Sequence, residues 1–157
     1  MKRSKLTVLL TLAVALFLTM DSCKRKTVYH HYEHTSTSGW EKNDTLCFTV
    51  GPTGRSTTFH EEIGLRINGF YPFMSLCLVI DQATIPGHLM RRDTLNCSLI
   101  DNRGNVKGQG ISYFQYQFHL TDITISATDT LLVYVRHNMK REILPGIADV
   151  GLMLKER

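Results

Sequence analysis

The side chains able to do chemistry in this sequence are few and unevenly placed. Tyr29-His30-His31-Tyr32-Glu33-His34 brings three imidazoles and a carboxylate into six residues, and histidine-rich tracts of this kind can bind metal ions. The flanking residues supply nothing to fix ligand geometry or a second shell, so the segment reads as a solvated tether and no metal site is expected. Glu61-Glu62 is a carboxylate pair of the type used in glycoside hydrolysis. Adjacent residues on a strand point to opposite faces, which leaves one of the pair inward or beside a bulge and denies them a shared bond. Arginines recur beside carboxylates and loops: Arg66 before Asn68-Gly69-Phe70-Tyr71-Pro72, then Arg91-Arg92-Asp93, Arg136-His137 and Arg141-Glu142. Arginine and a carboxylate form planar bidentate bridges that pin loops, and this structural role ranks above a ligand site for Arg66, Arg92, Asp93, Arg136 and Arg141. Trp40, Tyr71 and Tyr113 read as exposed aromatics that could stack on a sugar or another protein, or equally plug the ends of the fold. An enzymatic centre would have to gather Arg92, Asp93, His137 and Glu142. The G-x-S-x-G, P-loop and H-E-x-x-H patterns are absent, so no catalytic residue and no cofactor is expected.

One thiol has a context built for chemistry. Lys2, Arg3 and Lys5 precede an apolar run from Leu6 to Met20, the plan of a secretory signal. A stable transmembrane helix needs roughly 20 apolar residues, and Asp21 followed by Lys24-Arg25-Lys26 shuts this run off too early. Leu18-Thr19-Met20-Asp21-Ser22-Cys23 resembles a bacterial lipobox, although Asp21 stands where an uncharged residue is usual. Residues 1–22 then read as a lipoprotein signal peptide and Cys23 as the lipid attachment site. A single acyl chain binds membranes only marginally and two or more are needed for lasting attachment; a lipobox supplies that number. An ordinary signal peptide cut nearby is the plainer alternative.

Cleavage before Cys23 leaves 135 residues, enough for one domain with a real core. The remainder carries 15 Lys and Arg against 13 Asp and Glu, a net charge of +2, with the basic residues scattered. Nothing in that distribution points to nucleic acid. Cys47, Cys77 and Cys97 lie 30 and 20 residues apart, matching no zinc pattern. Each falls in an apolar-patterned run, where a free cysteine behaves as a small buried hydrophobe, and that reading is favoured over a disulfide.

Residues 23–39 have no apolar periodicity and end in Thr35-Ser36-Thr37-Ser38-Gly39, so they read as a lipidated, flexible tether. From Trp40 onward the period becomes two. Leu46, Phe48 and Val50 share one face of 45–50; Phe59, Ile63, Leu65 and Ile67 share one face of 57–67. Further strands are expected over 75–80, 92–100, 110–120, 130–137 and 149–155, with Asp101-Asn102-Arg103-Gly104-Asn105 as a hairpin turn. Met139 to Leu144 could form a helical turn before Pro145-Gly146. Seven or eight such strands without a convincing helix imply an all-β domain over 40–157, an antiparallel two-sheet β-sandwich of jelly-roll type.

Four stretches carry a family resemblance. Trp40-Glu41-Lys42-Asn43-Asp44-Thr45-Leu46, then Leu65-Arg66-Ile67-Asn68 running into Tyr71-Pro72, then Arg91-Arg92-Asp93-Thr94-Leu95-Asn96-Cys97, then Met139 through Pro145-Gly146-Ile147-Ala148-Asp149-Val150-Gly151 together resemble the GldH gliding-motility lipoprotein family. The resemblance implies a lipid-anchored envelope protein, non-enzymatic, associated with the machinery that secretes and drives adhesins. On that basis the expected partners are the membrane, through the covalent lipid, and envelope proteins of that machinery. The expected location is the outer membrane, facing the periplasm, because the Lys24-Arg25-Lys26 triplet lacks the acidic pair that marks surface export in some related bacteria. A glycan-binding lipoprotein is the alternative function, since jelly-roll sandwiches often present aromatic platforms.

Overall fold

The computed structural model describes residues 26–157, so the signal segment and the lipobox with Cys23 lie outside the described residues. Within them the chain folds into strands: β1 (Thr27–His34), β2 (Trp40–Glu41), β3 (Leu46–Val50), β4 (Thr57–Asn68), β5 (Ser75–Ile85), β6 (Met90–Ser98), β7 (Tyr113–Ile125), β8 (Thr130–His137), β9 (Ile143–Leu144) and β10 (Ile147–Glu156). Two four-stranded sheets, ordered β1-β10-β4-β7 and β3-β8-β5-β6, form the expected antiparallel sandwich, and β2 pairs with β9 beside them.

The period-two pattern explains the core. β3 buries Leu46, Phe48 and Val50, and β8 buries Leu131, Val133 and Val135, while the residues between them face outward or are half-buried. These stripes meet Ile63, Leu65 and Ile67 of β4 and Val150, Leu152 and Leu154 of β10 in one cluster. Each such side chain contributes roughly 1.5–3 kcal/mol on full burial, which is what holds the two layers face to face. The hairpin turn at 101–105 also forms as its residues dictate. Asp101 Oδ1 accepts from the backbone N–H of Arg103 at 2.8 Å and of Asn105 at 2.9 Å, and Gly104 takes φ +85°.

Four expectations need correction. The segment read as a flexible tether contains β1, which pairs with β10 from Thr27↔Lys155 to His34↔Asp149. It reads Thr-Val-Tyr-His-His-Tyr-Glu-His, with no apolar stripe, and its order comes from the backbone ladder offered by β10. Met139 to Leu144 forms no helical turn: Ile143–Leu144 is β9, and Leu144 is fully buried opposite Trp40. A single helical turn closes one hydrogen bond for several ordered residues, and burying Leu144 wins. Trp40, expected to be exposed, is 0% accessible, with its indole N–H donating to the Asp44 carbonyl at 3.0 Å. The three cysteines are free as expected, but only Cys97 is buried; Cys47 sits on the outward phase of β3 between Leu46 and Phe48 and is exposed.

Candidate functional site

The outer face of the sheet β1-β10-β4-β7 gathers most of the polar and aromatic groups that the core does not use. Strand register sets this face: His30, Tyr32 and His34 of β1 oppose Met153, Gly151 and Asp149 of β10. These in turn oppose Glu62, Gly64 and Arg66 of β4, which oppose His119, Gln117 and Gln115 of β7. At its centre the Tyr32 ring lies across two glycines on neighbouring strands. A Cβ on Gly151 would stand 2.6–2.8 Å from three ring carbons of Tyr32, and one on Gly64 would stand 2.5 Å from its hydroxyl oxygen. Glycine within a strand commonly marks such a close approach.

Arg66 caps this arrangement. Its guanidinium carbon sits 4.2 Å from the Tyr32 ring centroid, a cation–π geometry, and Nη1 lies 3.5 Å from Asp149 Oδ2. Asp149 Oδ1 also pairs with His34 Nδ1. Burial pushes the Tyr32 phenol above its ordinary value, with Arg66 opposing that rise. The result is a rigid aromatic and cationic centre flanked by the amides of Gln115 and Gln117.

Beyond Arg66 the face opens into a groove of about 1000 Å³, lined by His34, Arg66, Phe70, Tyr113, Gln115 and Asp149 among others. Phe70 is 80% exposed and Tyr113 51% exposed, so large apolar surface borders the polar centre. A smaller hollow of about 550 Å³ runs from Tyr32 past Gln117 to Asn96, Ser98 and Lys107.

At the other end of the same face stand His60, Glu62, His119 and Asp122. The His60 and His119 rings stack in parallel, 4.0 Å apart at 6°. The hydrogen bond from His60 holds the Asp122 carboxyl below the usual carboxylate range. On the inner side of β4, Glu61 is fully buried and takes a 2.7 Å hydrogen bond from Gln82 Nε2 of β5, across the sandwich. Burial pushes its carboxyl up from 4.5 to about 7. The carboxylate pair Glu61-Glu62 is thus divided between the two faces, as alternation required.

The residues singled out from the sequence are scattered over the molecule. Arg66 lies on the site just described. Tyr71 is half-buried beside Phe73, its hydroxyl donating to the Ser75 carbonyl at 2.9 Å. Arg92 and Arg136 both clamp Asp81 on the outer face of the second sheet, Arg92 Nη2 at 3.1 Å and Arg136 Nη1 at 3.2 Å from Oδ2. Asp93 pairs instead with Arg91, whose Nη2 is 3.0 Å from Oδ1. Arg141 is exposed in the loop before β9. His137 faces inward, with Nε2 3.2 Å from the Trp40 carbonyl oxygen, and burial lowers its pKa. Arg92, Asp93, His137 and Glu142 therefore do not converge on one pocket. Alternation also splits the histidine tract: His30 and His34 face outward, whereas His31 packs 6.4 Å from the inward Phe48 ring.

Residues 27–154, from the first residue of β1 to β10, match the family model described as GldH lipoprotein. The chain belongs to the GldH lipoprotein family. The gliding motility lipoprotein GldH of Flavobacterium johnsoniae is 24% identical over 157 residues, covering 96% of this chain and 95% of that protein. Membership associates the chain with gliding motility and makes it a lipoprotein of the cell envelope. Among solved structures, a family GH115 4-O-methyl-alpha-glucuronidase covers 87% of this chain and 18% of its own, at 12% identity and a TM-score of 0.47. A family 35 carbohydrate binding module from Clostridium thermocellum covers 82% of this chain and 89% of its own, at 8% identity and a TM-score of 0.39. Neither likeness is close enough to carry an argument about binding.

Tyr32, Gly64, Gly151, Gln115, Gln117 and Asp149 do not stand out as site residues in the sequence. The available signal was Gly64, a lone glycine inside a strand pattern; nothing local marks Tyr32, whose position depends on pairing with a strand more than a hundred residues away.

Proposed function

We propose that this GldH-family chain is a non-enzymatic interaction component of the motility and secretion machinery, anchored through acyl chains on Cys23 to the outer membrane and facing the periplasm. Its partner-binding surface is the outer face around Tyr32 and Arg66 together with the groove edged by Phe70 and Tyr113. The observation that carries this reading is the composition of that surface: Tyr32, Arg66, Tyr113, Gln115 and Gln117 on strands, with the exposed Phe70 in the turn that follows β4. Tyrosine and arginine dominate the energetics of protein interfaces, and strand-borne groups are held more precisely than loop-borne ones. Arg66 also supports it, because its Nε is a buried donor without a partner among the described residues.

The test replaces Phe70 and Tyr113 with alanine, in a gliding bacterium whose own copy has been deleted. Both side chains are exposed, so the variant protein accumulates at the normal level. Spreading and adhesin display fall sharply if the surface binds its partner, and normal spreading at normal protein level refutes the assignment. A photo-crosslinker at Gln115 traps a specific envelope protein, whereas one at Tyr134 on the opposite sheet does not. The roles of Arg92, Asp93, Arg136, Arg141 and Tyr71 in partner binding are tested by the same complementation. Trp40, being buried, enters only as support for the fold.

A second reading, a glycan in the groove, is favoured by one feature. Tyr113 and Phe70 line it beside Asn68, Gln115 and Thr35, an aromatic and amide combination suited to sugar rings. Calorimetric titration with cell-wall and dietary glycans, using a Tyr113→Ala control, decides it; flat titrations end the idea.

A further inference from the structure

We propose that His60, His119 and Asp122 form a binding site for a divalent transition-metal ion of the zinc class, with Glu62 as the outer partner of the His60 ring. The four residues come from the two adjacent strands β4 and β7, at the end of the outer face away from the groove.

Their convergence depends on a bulge. Along β4, His60 and Glu62 are two apart and share the outer face by simple alternation. On β7, His119 and Asp122 are three apart, and in an unbroken strand they would face opposite ways. The pairing shifts between Glu61↔Thr121 and Glu62↔His119, which leaves Leu120 as an extra residue. That single insertion brings His119 and Asp122 to the same side, opposite Glu62 and His60 respectively. Bulges are found beside functional sites because they re-aim a side chain in this way.

The donor atoms of His60, His119 and Asp122 lie within 4.8 Å of one another. Tetrahedral zinc with bonds of about 2.0–2.1 Å to nitrogen and about 2.0–2.2 Å to oxygen holds its ligands roughly 3.3 Å apart. Closing that difference falls chiefly to rotation of the His119 side chain, which is 49% exposed. The two carboxylates take different places around the His60 ring, Asp122 on the Nδ1 side with His119 and Glu62 on the Nε2 side. Asp122 Oδ1 faces His60 Nδ1 at 2.9 Å and His119 Nε2 at 4.0 Å, while Oδ2 is held by Arg157 Nη1 at 3.1 Å. Glu62 Oε1 faces His60 Nε2 at 3.5 Å, while Oε2 is held by Lys155 Nζ at 2.8 Å. The two cations orient the carboxylates from outside, the task that outer partners perform in metal sites. Two imidazoles with one carboxylate select zinc, copper or nickel over calcium and magnesium, which take oxygen ligands only. A bound ion would tie the edge strand β7 to β4 beside the chain's last strand.

The test uses the full chain, purified in detergent and stripped with EDTA, then titrated with zinc chloride and, separately, with cobalt(II) chloride. The expected result is one ion per chain, a tetrahedral cobalt absorption spectrum, and no competition from magnesium. His119→Ala, an exposed position that leaves the core intact, weakens zinc binding by tenfold or more, and Asp122→Asn weakens it and alters the cobalt spectrum. A variant in which His30, His31 and His34 are all replaced by alanine keeps wild-type affinity. No saturable zinc uptake overturns the proposal. So does uptake that survives both His119→Ala and Asp122→Asn, or that disappears with the β1 histidines instead.

Discussion

Replacing Gly151 with alanine will destabilise the protein, and doing so in a Tyr32→Ala background will stabilise it. Gly151 lies inside β10, and its φ is not in the left-handed region, so alanine is compatible with the backbone. Removing a strand glycine ordinarily gains roughly 0.5–1 kcal/mol through the lower entropy of the unfolded chain. Here the added Cβ would sit 2.6 Å from Tyr32 Cε1 and 2.8 Å from both Cδ1 and Cζ. Three ring atoms are involved, so no rotation of the phenol tip relieves the clash and the whole ring must lift from the sheet. Overpacking of this kind costs about 1–3 kcal/mol. The lifted ring also loses the 4.2 Å approach of Arg66, a contact of roughly 0.5–1 kcal/mol at exposed sites. With Tyr32 truncated, both penalties vanish and only the glycine gain remains. The four proteins of this double-mutant cycle are unfolded with urea and monitored by circular dichroism, and the coupling energy is expected near 2 kcal/mol, give or take a factor of two. If Gly151→Ala shifts stability equally in both backgrounds, the Tyr32 ring does not rest on Gly151 and the description of the central platform is wrong.

Three further outcomes follow from other parts of the structure. Glu61, raised from 4.5 to about 7 by burial, binds its proton more tightly folded than unfolded. Its contribution is therefore fully present below 4.5 and lost as pH rises through about 7, by roughly 3 kcal/mol in all; Glu61→Gln, compared with wild type by denaturant melts in EDTA from pH 5 to 8.5, flattens that slope and is the more stable protein at pH 8. Cys47 reacts with a maleimide in the native state while Cys97, buried with its thiol pushed up to about 12, reacts only on unfolding, as mass spectrometry after pulse labelling will record. Cys23→Ala abolishes incorporation of radiolabelled palmitate and moves the protein from the membrane to the soluble envelope fraction.

Much of the fold was legible because strands announce themselves locally. The stripes Leu46-Phe48-Val50 and Leu131-Val133-Val135 are read directly from alternation, and each lies buried where alternation put it. The turn at 101–105 follows from an aspartate that can accept from two backbone N–H groups and a glycine that can take positive φ. Arg66 was visible as an arginine beside a loop. What escaped was long-range: β1 has no apolar stripe and owes its place to the unpaired edge of β10, and Trp40 of β2 sits inside, paired with Leu144 of β9 a hundred residues on.

The order and phase of residues alone determined that this chain is all-β, that it has two apolar layers to hide, and that Glu61 and Glu62 must part company. The tertiary structure alone decided which polar groups meet. Tyr32 reaches Gly64 and Gly151 only because three strands from distant parts of the sequence lie side by side. His119 and Asp122 face His60 only because Leu120 is one residue too many for its partner strand. Side-chain phase is a local property of a strand, whereas register between strands is set by every contact in the sheet at once, and it is register that assembled this surface.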